Sequence, residues 1–147
     1  MNEELAKRLE EQWGSIEPWP EAPSVLKKLK QTHRLGIVTN CSERLGRIAA
    51  RRVGVPFDCI VTAERAGFYK PHSAPYRLAL SELGISSKEA LFVAGSGFDL
   101  IGTSKVGLDT HWHNRVGLQR PTGAPAPLRE SRSLEGLFSL LRPGKSS

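Results

Sequence analysis

Short apolar runs and amphipathic helical patterns alternate along this 147-residue chain from Leu35 onward. The runs are rich in branched side chains, which favours strands, whereas the segments between them carry apolar residues three and four positions apart, which favours helices. Regular alternation of this kind predicts an α/β fold with a parallel sheet. The predicted strands cover 35–39, 59–62, 91–93 and 110–113, and the predicted helices between them cover 44–53, 71–83 and 99–106.

Two further helices are predicted before this alternating region, over 2–12 and over about 22–32. Three prolines and two tryptophans occur in the stretch from Trp13 to Pro23, which indicates a loop with apolar anchors that leads into the second helix. Proline and small residues dominate 121–132, so we expect little regular structure there. A closing helix is predicted over 134–141.

Charge, hydropathy and cysteine content narrow the class of protein. The net charge is +6, but the basic residues are scattered, and one local group lies on the predicted helix 44–53. No aromatic residues accompany that group, so we interpret it as a solvated helix face and expect no nucleic-acid partner. No run approaches the roughly 18 apolar residues of a membrane helix, so no membrane partner is expected. The two cysteines form no C-x-x-C motif, which predicts a reduced, cytoplasmic protein.

Small residues follow the predicted strand 91–93 and lead to an aspartate. Ala94, Gly95 and Ser96 allow a substrate or a neighbouring loop to approach the backbone closely. Asp99 then falls in the first turn of a helix, where the helix dipole favours a carboxylate. Ligands of parallel sheets bind beyond the carboxyl ends of the strands, so this stretch marks a candidate site. On its own, a capped helix after a tight turn explains the stretch equally well.

His111 and His113 are two residues apart on the predicted strand 110–113, so their side chains share one face of the sheet. Two imidazoles on one face are a candidate metal site. The sequence offers no third ligand beside them.

A resemblance to a known family rests on several segments that occur in a fixed order. One strand ends in Thr39-Asn40, a Tyr-Lys-Pro run precedes Tyr76, and a later strand ends in Asn114-Arg115. Together with the small turn before Asp99, these segments resemble the second, third and fourth motifs of the haloacid dehalogenase (HAD) superfamily. The (S)-2-haloacid dehalogenase branch is the most similar. The segments are 37–42, 68–76, 91–99 and 107–115, and the match covers about residues 35–116.

The resemblance implies an aspartyl-ester mechanism, in which a carboxylate attacks the substrate and water hydrolyses the resulting ester. It implies that Thr39 donates a hydrogen bond to the anionic group of the substrate. Lys70 would keep the attacking carboxylate ionised, and Asp99 would fix that lysine. These three are the expected catalytic residues. The expected substrate-binding residues are Asn40, Ser96, Tyr76 and Phe98.

The family carries its nucleophile at the end of its first strand, and none of the three aspartates of this chain, Asp58, Asp99 and Asp109, has that setting. We therefore expect a truncated chain with an α/β, Rossmann-like core that lacks the first, central strand and most of the helical cap. Without that strand, the parallel sheet either parts into two halves or pairs its flanking strands directly. The expected division is a cap remnant and return linker in 1–22, the core in 23–120 and a proline-rich tail with a C-terminal helix in 121–147.

The implied function is that of a HAD-like hydrolase for a small anionic substrate, such as a 2-haloacid or a phosphate ester, with this chain inactive alone. Phosphatases of the superfamily hold Mg²⁺ with two carboxylates of the fourth motif. The first of these falls on Gly95 here, so no cofactor or metal is expected, unless the chain is phosphatase-like and Asp99 binds Mg²⁺. The alternative is a non-catalytic remnant that keeps an anion site at Thr39, Asn40 and Lys70. The sequence leaves open whether the chain forms a homodimer.

Overall fold

A computed structural model describes residues 2–141 and shows an α/β fold. Each predicted strand is present, with bounds that differ from the prediction by one residue at most. The helices are α1 (Glu3–Trp13), α2 (Ala22–Lys30), α3 (Glu43–Val53), α4 (Ala63–Ala66), α5 (Ser73–Leu83), α6 (Asp99–Ser104) and α7 (Leu137–Leu140), with 3₁₀ turns at Ser87–Glu89 and Leu134–Gly136. The strands are β1 (Gly36–Thr39), β2 (Cys59–Thr62), β3 (Leu91–Ala94), β4 (Asp109–His113) and β5 (Arg129–Ser131).

The strands form two separate parallel sheets. In the first sheet β1 pairs with β2, so that Gly36 lies opposite Cys59 and Thr39 opposite Thr62. The second sheet has the order β3-β4-β5. Of the two arrangements expected for a sheet without a central strand, the structure therefore adopts the parted one, in which β1 and β3 each keep an unpaired edge.

An apolar cleft of about 750 Å³ lies between the two sheets. Ile37 and Val38 of β1 line one part of it, and Phe92 and Val93 of β3 line another. The two strands with unpaired edges therefore border the same cleft.

Helix α5 begins later than the pattern of the sequence predicts. The prediction starts at Pro71, whereas the helix starts at Ser73 because the His72 imidazole takes the capping position and accepts a hydrogen bond from the Ala74 N–H. Gly84, with φ of 64°, ends the helix in the left-handed conformation that favours glycine. Residues 69–72 therefore lie outside the helices, and this segment carries Lys70.

Two elements of secondary structure, α4 and β5, were not predicted from the sequence patterns. Helix α4 is a single turn that Thr62 and Gly67 cap. Strand β5 lies inside the proline-rich segment 121–132, where we expected little regular structure, and pairs with β4. Its sequence, Arg-Glu-Ser, carries no apolar alternation, because it is an edge strand held by backbone hydrogen bonds and not by a buried face.

The C-terminal segment contributes to the core. Leu134 and Leu137 pack with Val25 and Leu29 of α2 in one buried cluster. The predicted closing helix is divided between a 3₁₀ turn and α7, and residues 142–147 of the expected tail lie outside the described residues. No helix within residues 2–141 has the length and apolar character that crossing a membrane requires.

Candidate active site

A buried ion pair connects the two sheets. The Nζ atom of Lys70 lies 3.1 Å from Oδ1 and 3.2 Å from Oδ2 of Asp99. The side chains are only 17% and 4% exposed, respectively. Asp99 begins α6 just after β3, and Lys70 is bonded to the residue that follows β1. The pair therefore marks the carboxyl ends of both strands that border the cleft.

Asn40, the residue after β1, holds the backbone of Lys70. Its Oδ1 accepts a hydrogen bond from the Lys70 N–H at 2.7 Å, and its Nδ2 donates to the Lys70 carbonyl at 3.3 Å. A side-chain amide suits this task because it offers one acceptor and two donors. The structure thus places Asn40 where it positions the lysine, and its expected contact with substrate stays a prediction.

Tyr76 lies behind the aspartate. It is fully buried, and its hydroxyl donates a hydrogen bond of 2.5 Å to Oδ1 of Asp99. Burial, followed by the contact with the Asp99 carboxylate, raises the pKa of the Tyr76 phenol far above its usual value. The phenol therefore remains protonated and can donate its hydrogen bond. Oδ1 of Asp99 contacts both Tyr76 and Lys70, and Oδ2 contacts Lys70. Tyr76 also lines the cleft, and its expected role in binding substrate stays a prediction.

The other expected site residues lie around this centre without a hydrogen bond to it in the described part of the chain. The Thr39 hydroxyl donates to Sγ of Cys41 at 3.1 Å. Ser96 is exposed, and its Oγ accepts a hydrogen bond from the Phe98 N–H at 3.3 Å. Phe98 itself is 59% exposed. The roles expected for Thr39, Ser96 and Phe98 therefore stay predictions.

Gly102 is a positioning residue that sequence analysis did not single out. An added Cβ would lie 2.6 Å from the Tyr76 hydroxyl oxygen and 2.7 Å from the Pro71 carbonyl oxygen. Only glycine lets α6 pack this closely on α5 and on the segment that carries Lys70. A glycine within a predicted helix costs about 1 kcal/mol relative to alanine, which is the signal that indicates such a packing reason.

The remaining aspartates lie away from this edge. Asp58 accepts hydrogen bonds of 2.7 Å from the Lys30 ammonium and from the Leu35 N–H, at the amino end of β1. Asp109 is the first residue of β4. Within residues 2–141, Asp99 is therefore the one carboxylate that forms an ion pair with Lys70.

The residues described around Lys70 offer few oxygen ligands for Mg²⁺. Hard cations need several oxygen ligands, and both oxygens of Asp99 already bind Lys70, one of them also Tyr76. Gly95 stands where phosphatases of the superfamily place a second carboxylate. No group of three or more His, Cys, Asp and Glu side chains able to hold a metal occurs in the described residues. We therefore derive no step through a metal.

Comparisons with curated proteins return relatives of two activities. A haloacetate dehalogenase H-2 from Moraxella sp. (strain B) is 33% identical over 119 residues, which cover 79% of this chain and 53% of the relative. An (S)-2-haloacid dehalogenase 4A from Burkholderia cepacia is 30% identical over 141 residues, or 93% of this chain and 61% of the relative. A pyrimidine 5′-nucleotidase from Escherichia coli (strain K12) is 30% identical over 128 residues, or 84% of this chain and 56% of the relative. The chain thus spans little more than half the length of these relatives.

Solved structures agree with the fold. A crystal structure of an L-2-haloacid dehalogenase matches with a TM-score of 0.87 and 25% identity, over 97% of this chain and 64% of that one. A HAD phosphatase from Thermococcus onnurineus matches with a TM-score of 0.81 and 27% identity, over 93% of this chain and 64% of that one. Residues 1–112 match the family described as haloacid dehalogenase-like hydrolase. The chain belongs to the haloacid dehalogenase-like hydrolase family.

Proposed function

We propose that this chain supplies the lysine–aspartate half of an active site that cleaves the carbon–halogen bond of a small 2-haloacid. In this reaction a carboxylate displaces halide from the substrate carbon and forms an ester, and water then hydrolyses the ester to release a hydroxy acid and regenerate the carboxylate. Lys70 would keep the attacking carboxylate ionised, while Asp99 and Tyr76 hold Lys70 in place. The buried Lys70–Asp99 pair at the mouth of the cleft is the observation that carries this proposal.

We further propose that the chain alone does not turn over substrate. Asp99 is already committed to Lys70 and Tyr76, so a separate carboxylate has to enter the site. The cleft offers a place for a strand that carries one. The carboxyl ends of β1 and β3 lie at the same end of the cleft, so an inserted parallel strand would end beside Lys70. The apolar lining suits such a strand, since central parallel strands are buried on both faces.

A phosphate ester is the second candidate substrate, because a nucleotidase and a phosphatase are among the relatives. Gly95 and the fully engaged Asp99 oxygens favour the haloacid. In either case the expected substrate is a small anion, which a lysine ammonium attracts.

We also propose that this function belongs to the cytoplasm. Cys41 and Cys59 are both free thiols, and burial raises the pKa of the Cys59 thiol. A protonated, buried thiol is unreactive, and unpaired cysteines are typical of reducing compartments.

A synthetic strand tests the proposal directly. The probe is a short peptide with a run of branched apolar residues followed by an aspartate, and the control peptide replaces that aspartate with asparagine. We expect no release of chloride from 2-chloropropionate by the chain alone, and measurable release once the aspartate peptide is added. Both peptides should raise the melting temperature, because a ligand at 100 times its Kd adds about 2.7 kcal/mol to stability.

The outcomes separate the parts of the proposal. An unchanged melting temperature with both peptides would show that the cleft accepts no strand. Hydrolysis of p-nitrophenyl phosphate without chloride release would assign the site to phosphate esters. Turnover by the chain without peptide would refute its dependence on an added carboxylate.

A further inference from the structure

Two buried histidines lie beneath the C-terminal segment of the described chain. His111 and His113 lie on the same face of β4, and both are almost completely inaccessible to solvent. Strand β5 pairs with β4 along its edge, and the turn at Leu134–Gly136 lies beside His111, since an added Cβ at Gly136 would be in ordinary contact with its Cε1 at 3.8 Å. Neither histidine takes part in the proposed chemistry.

The hydrogen bonds of Ser131 fix the protonation of His111. The Ser131 hydroxyl donates its one proton to the Ser133 carbonyl at 2.8 Å, so its oxygen accepts from Nε2 of His111 at 2.7 Å. We therefore assign the neutral imidazole with its proton on Nε2. The lone pair of His111 Nδ1 is then buried without a partner, and Nε2 of His113 is unpartnered as well. Each ring therefore has a nitrogen that could take up a proton, but the resulting positive charge would be buried away from water.

The groups that face the two rings are mostly cationic. His111 faces Arg129 of β5 and the neighbouring His113. His113 faces Arg115 after β4, the backbone of Arg132, and Glu21 at the start of α2. Glu21 forms an ion pair with Arg115, which lowers the pKa of its carboxyl to about 2, so its charge is already neutralised locally. A proton on either imidazole would therefore add a buried cation next to existing ones.

We propose that His111 and His113 form an acid-sensitive latch, which holds segment 129–141 on β4 when both rings are neutral and releases it when they are protonated. The released segment includes Leu134 and Leu137, which line the cleft between the sheets. Acid would thus open one wall of the cleft. The latch depends only on the fold, and its test does not use enzymatic activity.

The direction of the pH effect follows from the burial of the rings. Burial is the main cause that lowers the pKa of both imidazoles, so the folded pKa lies below the value of about 6.5 for a solvated histidine. The released segment therefore binds more protons than the closed one as pH falls below that value. Closure is fully stable above that pH, and below it closure weakens by at most about tenfold per pH unit for each histidine that titrates.

Hydrogen exchange of the wild-type chain, followed by mass spectrometry and corrected for intrinsic rates, provides the test. The reporters are the amides that join the segment to β4, namely Leu128 N–H on Thr110 and Asn114 N–H on Ser131, at 2.8 and 2.9 Å. Between pH 7.5 and 5.5 their protection should fall, by up to about tenfold if one ring titrates and by up to about a hundredfold if both do. Protection in β1 and β2 should stay constant. Equal loss in both sheets, or no loss at all, would overturn the latch.

A histidine-free latch completes the experiment. The double variant His111→Gln and His113→Gln should lose the pH dependence of segment 129–141 in this range. His33→Gln is the matched control, because His33 lies shortly before β1 and its imidazole hydrogen-bonds to the neighbouring Thr32 hydroxyl, away from β4. That control should keep the wild-type pH response. A double variant that still loses protection in acid would refute the assignment, and the wild-type titration decides the matter if the double variant does not fold.

Discussion

Replacement of Asp99 with alanine is expected to lower the free energy of unfolding by about 3–5 kcal/mol, because it breaks a buried ion pair and leaves one charge behind. The Lys70 ammonium, only 17% exposed, would lose its carboxylate. The Tyr76 hydroxyl would lose its acceptor at the same time. Urea denaturation of the variant and the wild type at pH 7 measures this difference.

Paired substitutions separate the charge from the packing. Lys70→Met combined with Asp99→Leu removes both charges, and such replacements often leave stability unchanged, so this double variant should be more stable than Asp99→Ala alone.

Tyr76→Phe removes one hydrogen bond to a charged group and should lower the free energy of unfolding by about 1.5–3 kcal/mol. Lys88→Ala, at an exposed lysine, is the control and should change stability by less than about 0.5 kcal/mol. A cost of the Asp99 variant no larger than this control would mean that water solvates the pair.

Gly102→Ala is expected to cost about 1–3 kcal/mol, since the new methyl group has to displace Tyr76 and the Pro71 carbonyl. The informative result is whether Gly102→Ala lowers or raises the stability of the protein. In an exposed helix the same substitution stabilises by up to about 1 kcal/mol. Thermal or urea denaturation, compared with wild type, gives the sign and the size.

The matched control lies close to the same site. An added Cβ at Gly95 meets no atom within 4 Å. Gly95→Ala should therefore leave stability nearly unchanged, although it lies only four residues before Asp99. A stabilising Gly102→Ala would show that α5 and α6 are less closely packed than the structure indicates.

The sequence patterns predicted the succession of strands and helices along the chain, and the resemblance to the family implied the contact between Lys70 and Asp99. Parallel strands bring their carboxyl ends to one edge, so residues that follow different strands approach each other whatever the intervening chain does. Asp99 lies just after β3, whereas Lys70 lies beyond α4 and is held at this edge by its backbone hydrogen bonds to Asn40, which follows β1. The parted sheet was one of two arrangements that the sequence left open, and the structure decides between them.

The partners of individual side chains were not predictable from these patterns. Asn40 and Tyr76 were expected to contact substrate, which stays a prediction, whereas their hydrogen bonds to the Lys70 backbone and to Asp99 were not predicted. The position of Tyr76 depends on how closely α6 approaches α5, and Gly102 permits that approach. The polar strand β5 was missed because its place is set by pairing with β4, and periodicity reports only buried faces.

The junction between the sheets has a consequence for how mutant enzymes are interpreted. No β-ladder joins the two sheets in residues 2–141, so the contacts among Lys70, Tyr76 and Asp99 are part of what keeps one half of the molecule registered on the other. The proposed chemistry and the stability of the fold therefore depend on the same three side chains. A substitution at any of them can lower the measured reaction rate because fewer molecules are folded. The rate has to be divided by the fraction of folded molecules before it says anything about the chemical step.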